Sequence, residues 1–392
     1  MKIAILTDSY YPSFDGVINV VQNYMRNLGK DNDCTLIAPK YPKKWKYVES
    51  DEFRVIRCKS LPGVEGYRLA VPQFDRKLFK FLKDEKFDLI HVHSPFGLGK
   101  YAIKVGKKLG IPVVATLHTK YYDDIYRVVH MKWLTKIVLK NLMKVYNKAD
   151  SAWTVSQGAK KVMGGDYGVK RPIEVVYNGT DLVYPENAKE LAENVDKKHN
   201  LYGKKNVFLF VGRLALYKNL ELILKSLKVL KDKGVDFTML FVGAGFDEQK
   251  IKETSTKLGL DKNVIFVGRI NDRTELAGYY LRADLFLFPS LFDTNGLVSI
   301  EAAAHKLPTL MIENTCAAEN VIDGQNGFLA KNSVESYSQK LLEIVANAKN
   351  LKDVGENAYK TIYRSWNDVT AEVFEKYKKI VADYKKSHKS SK

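Results

Sequence analysis

The chain is expected to be an α/β protein of two Rossmann-like, doubly wound domains, and three observations lead there. Short β-rich runs alternate with helical stretches along the whole length. Those runs are mostly continuous in apolar residues rather than alternating, as in parallel sheets covered on both faces. And 392 residues exceed what one hydrophobic core comfortably serves, while suiting two domains of ordinary size. Strand–helix alternation implies parallel sheets. In such folds ligands gather at the carboxyl ends of the strands.

Taken in order, the first series of strands is expected at 2–6, 34–38, 53–57, 89–93, 113–117, 152–155 and 174–176. A break falls at Asn178-Gly179-Thr180-Asp181, followed by a polar, helix-prone stretch over 186–203. The second series then opens, with strands at 207–211, 238–242, 264–267, 285–288 and 309–312. This gives a first domain over 1–178 and a second over 206–364. Residues 365–384 have the pattern of a long helix. The tail 385–392 is rich in Lys and Ser and is expected to be disordered. There is no internal repeat, although the two halves share an architecture.

Composition excludes several classes. Hydrophobic content of 45% and charged content of 28% describe a globular chain rather than a disordered one. No apolar run approaches the length that spans a bilayer. The opening Met1-Lys2-Ile3-Ala4-Ile5-Leu6-Thr7-Asp8 reaches an acid too soon for a signal peptide and reads as the first strand. Cys34, Cys58 and Cys316 are scattered without metal-ligand spacing, and an odd number excludes a complete disulfide framework. A reducing cytoplasm is the simplest location for such a chain.

The net charge is +18, and half of it sits in one place. Between Lys100 and Lys148 eleven Lys or Arg face only Asp123 and Asp124, a local excess of +9. Lys132, Lys136, Lys140, Lys144 and Lys148 recur every four residues, with Trp133, Ile137, Leu142, Met143 and Tyr146 as apolar surface among them. A basic amphipathic helix of this kind suits an anionic membrane, making the protein peripheral on the inner face. It equally suits a solvated helix face. Nucleic acid is disfavoured, because no aromatic or groove-reading signature accompanies the charge.

The most informative segment is Leu287-Phe288-Pro289-Ser290-Leu291-Phe292-Asp293-Thr294-Asn295-Gly296-Leu297-Val298-Ser299-Ile300-Glu301-Ala302-Ala303-Ala304. An apolar strand ends at Pro289-Ser290, a short polar loop follows, and a helix opens at Gly296. The first amides of that helix, near Asn295, Gly296, Leu297 and Val298, suit a phosphate. Asp293 and Glu301 can accept hydrogen bonds from sugar or ribose hydroxyls. Together they can hold both halves of a sugar nucleotide. In Val211-Gly212-Arg213-Leu214-Ala215-Leu216-Tyr217-Lys218-Asn219, Arg213 and Lys218 lie at a strand end, where two cations can neutralise a departing diphosphate. Gly16, after the first strand, lets backbone approach a ligand closely. Its surroundings lack the Gly-x-Gly-x-x-Gly dinucleotide fingerprint.

These motifs resemble the donor-binding motifs of retaining family-4 glycosyltransferases of the GT-B fold. There the pattern is Glu, seven residues, Glu; here Asp293 replaces the first acid and is one methylene shorter. The resemblance spans nearly the whole chain, while its specific motifs cover a few dozen residues. It implies two facing domains, a final helix crossing back to the first, and a nucleotide sugar bound mostly by the second. It implies Glu301 on the ribose hydroxyls, Asp293 on the transferred sugar, and Arg213 and Lys218 on the diphosphate. Gly268, Arg269 and Ile270, ending the strand at 264–267, would meet the nucleobase edge. In the first domain only Gly16 matches the adjacent glycine pair usual in the family. His118 takes the place of a histidine that faces the donor sugar, with Lys120, Tyr121 and Asp124 lining the acceptor side.

The donor implied is a UDP-hexose and the acceptor a membrane lipid or a glycan. No cofactor and no metal are implied, so His91-Val92-His93 and Asp123-Asp124 are read as structural rather than metal-ligating. The tyrosine-rich stretch after His118 resembles that of lipid glucosyltransferases. Two other functions could use the same residues. One is sugar-nucleotide binding without turnover; the other is epimerisation of the donor sugar.

Overall fold

Buried apolar runs set the architecture, because a strand without polar interruption must be covered on both faces. The computed structural model describes residues 1–13, 15–45, 51–63 and 67–389. The chain divides into two units, Met1–Asn178 with the helix Trp366–Lys389, and Gly179–Ser365. Each has its own hydrophobic core.

In the first unit the strands are β1 (Lys2–Leu6), β2 (Asp33–Pro39), β3 (Arg54–Cys58), β4 (Ser60–Pro62), β5 (Arg68–Ala70), β6 (Leu89–Val92), β7 (Val113–Leu117), β8 (Ser151–Thr154) and β9 (Ile173–Val175). Seven form a parallel sheet in the order β3-β2-β1-β6-β7-β8-β9. β4 and β5 pair antiparallel outside it. The strand order reverses between β1 and β6. At that switch point the chain crosses over with Asp8 N–H donating to Ser94 Oγ at 2.8 Å.

The second unit holds β10 (Val207–Val211), β11 (Thr238–Val242), β12 (Val264–Gly268), β13 (Leu285–Phe288), β14 (Thr309–Ile312) and β15 (Phe328–Ala330). They make a parallel sheet ordered β12-β11-β10-β13-β14-β15. Here the reversal falls between β10 and β13. The two segments singled out for their chemistry follow these two strands, so the topology alone makes them neighbours. Beyond the strand ends the backbone pairing continues, with Gly212 N–H donating to Val242 O and Gly243 N–H to Gly268 O. A β-carbon on Gly243 would lie 1.9 Å from Gly212 O, so only glycine permits this approach.

Most strands fall within a residue or so of their expected positions. The sequence reading missed β4, β5 and β15, each of three residues. The stretch expected to be helix-prone holds the helix Ala188–His199, which packs on the helix Arg273–Arg282 within the second unit. Arg282 joins them by bonding Asp196 and the carbonyls of Leu201 and Lys204.

Two expectations need correction. The last helix runs to Lys389, so 385–389 is helical rather than a disordered tail, with Tyr384 and His388 stacked at 3.9 Å; 390–392 lie outside the described residues. In the helix Lys132–Lys148 all five spaced lysines are exposed, but Leu142, Met143 and Tyr146 are core residues rather than surface. The exposed apolar residues are Trp133 (63%) and Ile137 (56%), joined at the helix start by Met131 (45%).

Candidate functional site

β10 delivers the first group. After Gly212 the chain makes a 3-10 turn, Leu216–Lys218, pinned by Leu216 N–H donating to Asp247 Oδ2 at 2.9 Å. Lys218 projects from it and reaches across to the loop after β13, its Nζ 2.7 Å from both Oδ1 and Oδ2 of Asp293. Both side chains are largely but not fully covered, 16% and 24% exposed. Asn219, in the left-handed conformation at φ 63°, ties the same two loops by donating Nδ2 to Pro289 O at 3.2 Å and to Asn332 Oδ1 at 2.9 Å. Arg213 sits on the exposed part of the β10 loop.

β13 delivers the second group. The helix Leu297–Ala304 begins after Gly296, whose φ of 63° marks it as the cap rather than the first helical residue. A β-carbon there would also press on Ala317 and Phe288, each at 3.1 Å. No side chain caps the helix start, which leaves its first amides to solvent or a ligand. Beside it Ser290 Oγ and Asn295 Oδ1 are buried with no hydrogen-bond partner among the described residues.

Glu301 lies one turn into this helix and is 4% exposed. Arg273 donates Nη2 to its Oε1 at 2.9 Å, and Tyr280 donates its hydroxyl to Oε2 at 2.7 Å. Arg273 also bonds Asp181 Oδ1 at 2.5 Å. Burial works against the guanidinium charge, but Glu301 and Asp181 outweigh it and push the pKa above its ordinary value. Tyr280 stacks on His305 at 5.3 Å, and His305 Nδ1 lies 2.8 Å from Glu301 O. Each carboxylate oxygen therefore has one protein donor and keeps capacity for a second. Gly268, at φ 86°, turns the chain out of β12 into Arg269 and Ile270, and Asp272 caps the following helix through Thr274 N–H and Glu275 N–H.

In the first unit His118 follows β7 and is 8% exposed. Its Nε2 is 2.9 Å from His93 Nδ1, with the two ring planes only 14° apart. Burial lowers its pKa to about 3, so the ring is neutral. His91 is held by Tyr377 Oη at Nδ1 (2.5 Å) and Thr116 Oγ1 at Nε2 (2.7 Å), a structural role. Tyr121 is buried against Phe96, while Asp124 pairs with Arg127 at 3.0 Å on an exposed face.

Gly16 opens the helix Gly16–Leu28, but the helix start already carries a carboxylate: Asp15 Oδ1 accepts from Ile18 N–H at 3.0 Å. The same carboxylate bonds Ser9 and Tyr67. Phe14 of that loop lies outside the described residues.

Two family descriptions divide the chain between them. Residues 14–184 match "Glycosyltransferase Family 4" and residues 182–361 match "Glycosyl transferases group 1". The chain belongs to the family-4 type of GT-B glycosyltransferases. Among its relatives is the alpha-monoglucosyldiacylglycerol synthase of Acholeplasma laidlawii, 27% identical over 376 residues, covering 91% of this chain and 92% of the relative. The enzyme of the same description from Streptococcus pneumoniae is 26% identical over 336 residues, covering 84% of this chain and 75% of the relative. In fold it is similar to the solved structure of Anabaena HepE in complex with UDP, with a TM-score of 0.76, 19% identity, and coverage of 97% of this chain and 100% of that one.

Within this glycosyltransferase the second unit brings together Lys218, Asp293, the helix start at Leu297 and, farther along that helix, Glu301. Sequence reasoning did not find Arg273, Tyr280 and Asp181 around Glu301, nor Asn219 as the tie between loops. The one available signal was the polar Asn271-Asp272-Arg273 segment immediately after Gly268-Arg269-Ile270.

Proposed function

We propose that this glycosyltransferase moves a hexose from a UDP-sugar to a hydroxyl of a membrane lipid or a glycan, with retention at the anomeric carbon. The Lys218–Asp293 pair at the switch point of the second sheet carries the reading. A lysine there serves a diphosphate, and its carboxylate partner serves a sugar hydroxyl once the diphosphate takes over the lysine.

In this reading the diphosphate lies against the amides near Asn295, Gly296, Leu297 and Val298, with Lys218 and Arg213 supplying positive charge. Gly268, Arg269 and Ile270 meet the base, and Glu301, held by Arg273 and Tyr280, accepts from the ribose. The orphaned Ser290 Oγ and Asn295 Oδ1 offer further polar partners. As the bond from the anomeric carbon to the phosphate oxygen breaks, its electrons pass to the diphosphate, where Lys218 stabilises them. The acceptor oxygen bonds to the same face, and its proton passes to the leaving phosphate oxygen. No side-chain nucleophile is needed. His118 is the substrate contact in the first unit, a neutral imidazole for a sugar hydroxyl.

Support for a lipid acceptor comes from the two diacylglycerol-glucosylating relatives, and support for UDP from the HepE complex. The exposed Trp133 and Ile137 among the lysines of the helix Lys132–Lys148 suit an anionic membrane. Among the described residues no helix is long and apolar enough to cross one.

The test is to incubate the protein with UDP-, GDP- and ADP-hexoses, with and without anionic vesicles containing diacylglycerol, and to measure free nucleotide and glycosylated lipid. UDP release matched by glycolipid of unchanged anomeric configuration is expected. Conversion of the donor sugar without any acceptor would point to epimerisation and overturn the proposal.

A further inference from the structure

Lys218 has a second neighbour besides Asp293. Its Nζ stands over the ring of Tyr217, 5.5 Å from the centroid. That is inside the ~6 Å reach of a cation–π attraction, which strengthens where water is excluded. The Lys218 side chain is only 16% exposed.

The placement of this ring is built into three loops. Tyr217 belongs to the 3-10 turn Leu216–Lys218 after β10, and the chain just before that turn is bonded to the loop after β11. There Leu214 N–H donates to Ala244 O at 3.1 Å and Asp247 N–H to Leu214 O at 3.2 Å. Two rings from the neighbouring loops pack on Tyr217. Phe246, after β11, is tilted against it at 6.3 Å, and Phe292, after β13, meets it edge to face at 5.8 Å. Tyr217 immediately precedes Lys218, and Phe292 immediately precedes Asp293. The edge-to-face contact therefore registers the two loops that carry the ion pair. Phe246 is 63% exposed, so burial in the core does not account for the set.

The carboxylate and the ring hold the lysine in different ways. Asp293 accepts from Nζ at both oxygens, 2.7 Å each, and has to give those donors up to an arriving diphosphate. The ring attracts the charge through its electron-rich face, and that attraction survives when the N–H donors turn to phosphate. We propose that Tyr217 is a positioning residue, whose ring, braced by Phe292 and Phe246, keeps the Lys218 ammonium in place once Asp293 has released it. The inference rests on the assignment of Lys218 to the leaving diphosphate. Charge on that diphosphate grows as the bond to the anomeric carbon breaks, so a misplaced ammonium costs more in the transition state than in the bound donor.

The experiment replaces the ring in the full chain and follows hexose transfer. Tyr217→Leu should lower kcat about fivefold or more, with donor KM changed by about twofold at most. Tyr217→Phe keeps the ring and should keep most of kcat. Phenylalanines carrying one, two and three ring fluorines at position 217 keep the shape and drain the face of electron density, so kcat should fall stepwise along that series. In a Lys218→Met background the same fluorines should have no effect. A flat series, or one that persists without the lysine, would overturn the proposal. If Tyr217→Leu fails to fold, the isosteric fluorinated series decides. NMR of the lysine-labelled chain gives the second arm, with Lys218 assigned by its absence from the Lys218→Arg spectrum. Its ε-methylene protons should be shifted upfield by the ring and stay so with UDP bound; loss of that shift on UDP binding would overturn the proposal. Lys218→Ala with undiminished turnover would overturn the diphosphate role of Lys218 and this inference with it, whereas a flat series beside an impaired Lys218→Ala would overturn this inference alone.

Discussion

Lys218 and Asp293 neutralise one another across two loops, and each is then committed before any ligand arrives. Replacing Lys218 by Ala should lower turnover by a factor of about 100 or more with the fold intact, because the leaving diphosphate loses one of its two proposed cations. Steady-state kinetics alongside circular dichroism would show this, and unchanged turnover would remove Lys218 from the reaction. Asp293→Asn should act in opposite senses on binding and on transfer. A lysine no longer held by a carboxylate should bind UDP more tightly, by about fivefold or more, while hexose transfer slows. Calorimetry with UDP beside an activity assay separates the two, and weaker UDP binding would contradict the competition. These residues were legible in the sequence because a cation at one strand end and acids around a helix start are what the chemistry requires. Arg273 and Asn219 were not, since their partners Glu301 and Pro289 lie 28 and 70 residues away and only folding brings them together.

Among the elements, the helix Lys132–Lys148 shows what periodicity can and cannot settle. Its lysine spacing and amphipathic character were readable. Which apolar residues would face out was not, because they occur around most of its circumference and packing alone decides. Tyr146 and Met143 went into the core, while Trp133 and Ile137 stayed outside. Reversing Lys132, Lys136 and Lys140 to Glu should abolish co-sedimentation with anionic vesicles, at about 1 kcal/mol lost per lysine at the surface, while leaving neutral vesicles unaffected. Persistent binding would place the membrane contact elsewhere. The long buried strands were legible for a reason of the same kind. A continuous apolar run in a doubly covered sheet has one reading, whereas three residues such as Phe328–Ala330 carry too little pattern to separate strand from loop.

For the whole molecule, the buried histidines make an acid-sensitive first unit. His91, His93 and His118 are all held neutral by burial, their folded pKa values depressed below an unfolded value of ~6.5. Each takes up a proton on unfolding below that pH. Their contribution is therefore fully present above ~6.5 and is lost as pH falls, by about 1.4 kcal/mol per histidine per pH unit. Asp8 works the other way. Burial raises its folded pKa to about 6, and its folded state therefore gains stability as pH falls from there towards 4. Three histidines outweigh one aspartate, so the urea midpoint should drop steadily from pH 7 to pH 5. All four tryptophans, Trp45, Trp133, Trp153 and Trp366, belong to this unit, so tryptophan fluorescence follows its unfolding alone. A midpoint flat or rising over that range would contradict the neutral histidine cluster.

The first unit is also discontinuous in sequence. Tyr377, which bonds His91 and stacks on Trp153, and Trp366, which packs on Tyr24, both come from the final helix. During synthesis the ribosome therefore delivers the whole of Gly179–Ser365 before the first unit has its last wall. The segment translated later is free to complete its own sheet while the earlier one waits with Tyr24, His91 and Trp153 uncovered. A stall or cleavage after Ser365 would leave a finished second unit attached to an unfinished first one, a species with an open aromatic core and every reason to be taken up by the cell's folding and degradation machinery.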